Sequence, residues 1–154
     1  MTLSPPVTWQ TKHHGELSVA DLYAILKLRS AVFVVEQNCV YNDIDGLDMQ
    51  GDTLHVMAWQ DDRLEAYLRL LDPARNDGHV VIGRVVTDPS ARGSGLGHEL
   101  MVYALDACAR RWPQVPIYLS AQAHLQGYYG RYDFVACTDI YLEDGIEHIG
   151  MRRS

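Results

Sequence analysis

The chain has 154 residues, 47% hydrophobic and 21% charged, which is the size and balance of one folded domain that needs neither disulfides nor a structural metal. Its formal charge of −7 repels a phosphate backbone and argues against general nucleic-acid binding, so any anionic ligand must be held locally. Apolar runs such as Val80-Val81-Ile82 fall far short of the roughly eighteen residues of a membrane-spanning helix, and no membrane partner is expected. Met1 to Pro6 lacks the basic and apolar regions of a secretory leader. Cys39, Cys108 and Cys137 are widely spaced without a C-x-x-C pair and read as buried thiols in a reducing, cytoplasmic compartment.

Val7 to Thr11 reads as a short first strand. Ser18 followed by Asp21 resembles a helix N-cap, and Leu22, Ile25, Leu26 and Arg29 recur at helical spacing, predicting a helix to about Phe33. Tyr41 to Asp48 is acidic and turn-rich. Only Asp43 and Asp45 match the opening of a calcium-binding loop, and Gly46 follows too soon, so the stretch reads as a solvated loop. Strands are expected from Thr53 to Gln60 and from Arg63 to Leu71, joined at Asp61-Asp62. His79 to Thr87 is dense in β-branched residues and is the candidate central strand, with Gly83 marking a bulge or a close backbone approach. A helical apolar stripe runs from Leu96 to Trp112 and stops at Pro113. A strand from Ile117 to Ala121, a helix from Leu125 to Tyr132, and closing strands from Phe134 to Tyr141 and His148 to Met151 around Asp144-Gly145 complete the order. No repeat or linker divides it, so residues 1–154 read as one mixed α/β domain.

The strongest local signal runs from Val85 to His98. Val85-Val86-Thr87 feeds Asp88-Pro89, and Arg92-Gly93-Ser94-Gly95-Leu96-Gly97-His98 then opens a helix. Unpaired first-turn amides, reinforced by the positive end of the helix dipole, hold phosphate oxygens, and glycines let those oxygens approach. A nucleotide-hydrolysing P-loop needs a Lys that this turn lacks. A dinucleotide fingerprint fails on spacing, because Leu100 or His98 stands where its third glycine belongs. A capped turn without a ligand is the plain alternative.

Arg92-x-x-Gly95-x-Gly97 resembles the pyrophosphate loop, Arg/Gln-x-x-Gly-x-Gly/Ala, of the GNAT N-acetyltransferase superfamily. Tyr128-Tyr129-Gly130-Arg131-Tyr132-Asp133-Phe134 resembles the Tyr-x-x-x-Gly-Phe segment that ends the family's last helix, and Ile117 to Phe134, with Ser-Ala-Gln-Ala-His-Leu in its middle, resembles the small bacterial ElaA-like branch. The resemblance implies a single-domain GNAT-like fold: a mixed, mostly antiparallel sheet, splayed at its central strands and flanked by helices. It also implies acetyl-CoA as cosubstrate and coenzyme A as product, held by Val85, Val86, Thr87, Arg92, Gly93, Ser94, Gly95, Leu96, Gly97, His98 and Gln122. Two positions depart from the pattern. Asp133 replaces a glycine, which a left-handed Asp tolerates, and Gln122 stands where many members have Asn.

The implied reaction is direct attack of a primary amine, on a small molecule or a peptide, in a ternary complex. The resemblance gives the Val86 amide the developing oxyanion and Tyr129 the role of general acid toward the leaving thiolate, with Tyr128 and Tyr132 as core or rim aromatics. For the base, Glu36, Asp45, His55, Glu65, His79 and His124 are all chemically able, and no spacing singles one out. Asp43, Asp45 and Asp48 fall where the resemblance puts substrate-side structure and would attract a cationic amine. His13 and His14 are expected on opposite faces of a strand end, a poor metal site, and no metal is expected. A non-catalytic acyl-CoA-binding domain is the alternative from another class; Tyr129 favours catalysis. A homodimer stays open.

Overall fold

The computed structural model describes residues 6–154; the leader reading on Met1 to Pro5 lies outside them. The elements are β1 (Thr8–His13), α1 (Val19–Arg29), β2 (Leu54–Gln60), β3 (Arg63–Leu71), β4 (Val80–Thr87), α2 (Leu96–Arg111), β5 (Ile117–Gln122), α3 (Gln126–Gly130), β6 (Val135–Ala136), β7 (Tyr141–Glu143) and β8 (Ile146–Arg153). All strands join one eight-stranded sheet in the order β1-β2-β3-β4-β5-β8-β6, with β7 on β8. Every pair is antiparallel except β4 and β5.

Local chemistry starts the helices as expected. Ser18 Oγ accepts from the Asp21 N–H at 3.0 Å while Asp21 accepts from the Ser18 N–H at 3.1 Å, a reciprocal cap worth about 1 kcal/mol. The helix expected to Phe33 closes as α-helix at Arg29 and continues as a wider π-helical stretch, Ser30–Glu36. α2 buries Leu100, Met101, Ala104 and Cys108 against β2, β3 and β4 on one sheet face, while Ile25, Leu28 and Val32 cover Met57, Tyr67 and Val86 on the other. β3 is therefore buried on both faces.

The C-terminal third is more broken than its apolar pattern suggests. The strand expected from Phe134 to Tyr141 survives as β6 and β7 with irregular chain between, and α3 is a short helix behind a 3-10 turn at Ala123–Leu125. Asp133 does take the left-handed conformation, φ +69. The β7–β8 turn uses Asp144 at φ +51 and Gly145 at φ +79, the two left-handed positions a two-residue hairpin favours. Cys108 is buried, but Cys39 is half-buried and Cys137 exposed, because Cys137 lies where the chain leaves the sheet after two-residue β6.

β4 and β5 pair only at Val80 with Ile117, Val81 with Tyr118 and Ile82 with Leu119, and then part. On its other edge β4 carries the bulge, one residue beyond the expected Gly83. Gly83 faces Arg69 and Val86 faces Tyr67, so Leu68 alone opposes Arg84 and Val85, and Arg84 absorbs the irregularity at φ +51.

Candidate functional site

The wedge between the parted strands opens into a cleft of about 500 Å³. Gly83, Arg84 and Val85 of β4 and Ser120, Ala121 and Gln122 of β5 line its length. Phe33, Gln37 and Tyr41 cover one side, Tyr129 closes another, and Glu143, Asp144, Ile146 and His148 of the β7–β8 hairpin form the rim.

The bulge decides which β4 amides face this space. Before it, the Val80 N–H donates to the Pro116 carbonyl on the β5 side at 3.0 Å; after it, the Asp88 N–H donates to Glu65 of β3 at 2.7 Å. Hydrogen-bonded and non-bonded pairs alternate along an antiparallel ladder, so Val86, two residues before Asp88, turns its amide to Tyr67. Its side chain is only 4% exposed under α1. The expectation that the Val86 amide meets an oxyanion is thus corrected: the extra residue in β4 shifts the phase, and the amides on the open side are those of Val85 and Thr87.

Beyond Thr87 the chain turns into α2. Gly93 and Gly95 adopt φ +81 and +84, conformations that L side chains resist, and space beside both is open where a Cβ would stand. Gly95 caps α2 without a side-chain hydrogen bond, leaving the first-turn amides of Leu96, Gly97 and His98 without one. Ser94 Oγ is turned away, donating to the Ala91 carbonyl at 2.6 Å. Arg92 is drawn to Glu36 at 2.6 Å, across from the start of α2.

Three tyrosines of the α3 segment divide the space. Tyr129 is 8% exposed and lines the cleft; burial, with Tyr128 beside it, pushes its hydroxyl up to about 12. Tyr128 lies over Gly97, its hydroxyl 3.8 Å from where a Cβ would be. The Tyr132 hydroxyl meets His98 Nδ1 at 2.7 Å. His98 thus ties the α2 start to the last helix.

The acidic segment is neither a solvated loop nor a free set of carboxylates. Arg29, fully buried, donates to Asp43 Oδ2 at 2.9 Å, Asp48 Oδ1 at 2.6 Å and the Asp43 carbonyl at 2.7 Å. Arg69 donates to Asp45 Oδ2 at 2.6 Å and Asp48 Oδ1 at 3.0 Å. Arg84 reaches Asp45 Oδ2 at 3.2 Å and lies 2.9 Å from Asp43 Oδ1, close enough for an ion pair though not angled as a hydrogen bond. Burial is the largest influence on Asp45 and works to raise it, but the Arg69 hydrogen bond, the Leu47 amide and the charges of Arg69 and Arg84 together outweigh it and bring Asp45 down to about 2. Three guanidiniums balance three carboxylates, leaving no surplus charge to attract an amine.

None of the six base candidates lines the cleft. Glu36 holds Arg92, Asp45 belongs to the ion network, and Glu65 is buried beside Arg63 at 2.8 Å. His55 is fully buried: Nε2–H donates to the Asp48 carbonyl at 2.9 Å, so Nδ1 accepts from Tyr67 at 2.6 Å, and burial lowers its basicity. His79 Nδ1 donates to Asn76 at 3.0 Å, and His124 stands in the 3-10 turn before α3. The rings of His13 and His14 meet, centroids 4.2 Å apart, rather than facing opposite ways, because His13 ends β1 and caps the next turn. Among the described residues no group of three or more His, Cys, Asp or Glu is placed to hold a metal, and no helix is long and apolar enough to cross a membrane.

Sequence reasoning missed His148 and Glu143. His148 Nδ1 lies 2.8 Å from the Ile146 carbonyl and Nε2 3.3 Å from Glu143 Oε2. The only local signal was the Asp144-Gly145 turn that folds one toward the other.

Comparison with known proteins matches this architecture. A family model described as an acetyltransferase (GNAT) domain matches residues 20–154. This chain belongs to the GNAT family. It is 52% identical over 147 residues to the protein ElaA of Escherichia coli strain K12, covering 96% of each chain. The GNAT fold is shared with an acyl-CoA N-acyltransferase structure from Pseudomonas aeruginosa, at TM-score 0.95 and 62% identity over 97% of this chain and 100% of that one. It is shared too with the crystal structure of Escherichia coli ElaA, at TM-score 0.92 and 50% identity over 97% and 100%.

Proposed function

We propose that this GNAT chain transfers the acetyl group of acetyl-CoA to a primary amine of a small molecule or peptide by direct attack in a ternary complex, releasing coenzyme A. The observation that carries the reading is the parting of β4 and β5 into a cleft that runs toward an uncapped, glycine-rich helix start. An extended thioester arm fits beside a strand edge whose amides have lost their β5 partners, and main-chain pairing of this kind holds extended ligands. At the other end, Gly93 to His98 present amides and open space to a pyrophosphate. Family membership and the acyl-CoA N-acyltransferase relative favour the same cosubstrate.

In this arrangement Thr87 holds the pantetheine arm from the main chain, with Gln122 opposite. The Val85 amide donates to the thioester oxygen as charge gathers there, a contact that strengthens toward the transition state. Arg92 exchanges Glu36 for the pyrophosphate. Tyr129, protonated throughout the physiological range, donates to the departing sulfur. Titration with acetyl-CoA followed by labelled acetyl transfer to polyamines, amino acids and lysine peptides tests the reading. Label on an amine is expected; binding without transfer would make the chain an acyl-CoA sensor instead.

A further inference from the structure

We propose that His148, steered by Glu143, is the base that removes a proton from the acceptor, and that the acceptor therefore arrives as an alkylammonium ion. The inference rests on the transferase reading and adds the group that reading lacks.

Attack requires a nitrogen lone pair, and an alkylamine at neutral pH is mostly protonated. Few groups on the cleft can accept that proton. Arg84 is tied to Asp43 and Asp45, Tyr41 donates to Asp43 Oδ1 at 3.1 Å, and the Tyr129 hydroxyl already carries its proton. His148 is different. The Ile146 carbonyl can only accept, so Nδ1 carries the hydrogen and the neutral ring keeps its lone pair on Nε2. Nε2 lies 3.3 Å from Glu143 Oε2, a carboxylate that pairs with the ring once Nε2 has taken a proton.

The ring is held while its partner is loose. The His148 side chain is 12% exposed and that of Glu143 51%, and the Tyr141 ring stacks on His148 at 6.3 Å. The Tyr141 hydroxyl is bonded to Ser120, pinning the hairpin to β5. His148 pairs with Gln122 across the sheet and so shares the face on which Ser120 and Gln122 line the cleft. Asp144 adds a second carboxylate at the rim.

An incoming ammonium is drawn to Glu143, and one N–H proton passes to His148 Nε2 and on to water. The nitrogen then attacks the thioester carbon, the C–N bond forms and the C–S bond breaks. The second proton leaves nitrogen for water as Tyr129 gives its own to sulfur, and the tyrosinate then recovers a proton from solvent.

The test is single-turnover release of coenzyme A at saturating acetyl-CoA, with benzylamine as the alkylammonium probe and 2,2,2-trifluoroethylamine, whose fluorines withdraw electron density from nitrogen, as a primary amine unprotonated at neutral pH. His148→Gln should lose roughly 10²-fold with benzylamine, the lower end of what a general base contributes. It should stay within a few-fold of the parent with trifluoroethylamine and bind acetyl-CoA unchanged. The benzylamine defect should shrink as pH rises. Glu143→Gln, on an exposed position, should raise the KM for benzylamine and leave that for trifluoroethylamine alone. Equal loss with both nucleophiles, or no loss with benzylamine, overturns the assignment. So does a parent that acetylates trifluoroethylamine but no alkylammonium, while the transferase reading stands. A parent that acetylates neither removes the transferase reading itself.

Discussion

Replacing Tyr129 by Phe removes one buried oxygen and leaves the ring's packing against Tyr128 and Phe134. A thiol is already a fair leaving group, so the expected defect in single-turnover acetyl transfer is at or below ~10²-fold, the low end for general acid help. Because burial holds the hydroxyl at about 12, the parent rate should show no Tyr129 ionisation between pH 6 and 9; a Phe variant at the parental rate leaves solvent as the proton source. The phosphate turn is testable against a matched control. Gly95 and Gly78 adopt φ +84 and +81, each with open space beside it, so Val at either should cost on the order of 1–3 kcal/mol of backbone strain. Only Gly95→Val should also lose acetyl-CoA affinity by calorimetry. If the two variants bind alike, Gly95 is not part of the cosubstrate site.

At the scale of elements, the segment between α1 and β2 acts as a clamp on the bulged strand. Asp43 and Asp45 hold the Arg84 side chain, the residue whose left-handed backbone bends β4 away from β5. Arg29→Met leaves two buried carboxylates short of a partner and should destabilise by about 3–5 kcal/mol in urea unfolding; a loss below 1 kcal/mol would mean that water replaces the guanidinium. The clamp also sets acid sensitivity. Asp45 titrates lower in the folded chain, about 2, than in an unfolded one, about 3.9, so its contribution is complete above the unfolded value and fades as pH falls through the folded one. Because Asp45 is partly exposed and solvent screens its pairing, that contribution is on the order of 1 kcal/mol. Urea midpoints should therefore fall between pH 4 and 2, and Asp45→Asn should flatten the decline.

Across the whole molecule, what was legible in the sequence is what neighbouring residues make by themselves. Ser18 with Asp21, Gly93 to Gly97, and Asp144 with Gly145 form a cap, a glycine turn at a helix start and a hairpin within a few positions, and each of these elements stands where the pattern put it. Contacts between distant residues left no such mark. Arg84 and Asp43 are 41 positions apart, so a mutually neutralised network looked like an acidic loop. His148 reaches the cleft only because β8 lies beside β5, and the change of amide phase after Arg84 depends on the register with β3. That phase offers the most direct test of the proposed site: amide hydrogen exchange with and without coenzyme A. The account predicts that Val85, Thr87, Gly97 and His98 slow on binding, while Val86, already paired with β3, is protected in both states. Slowing at Val86 with no change at Val85 and Thr87, or no protection at the α2 start, would contradict it.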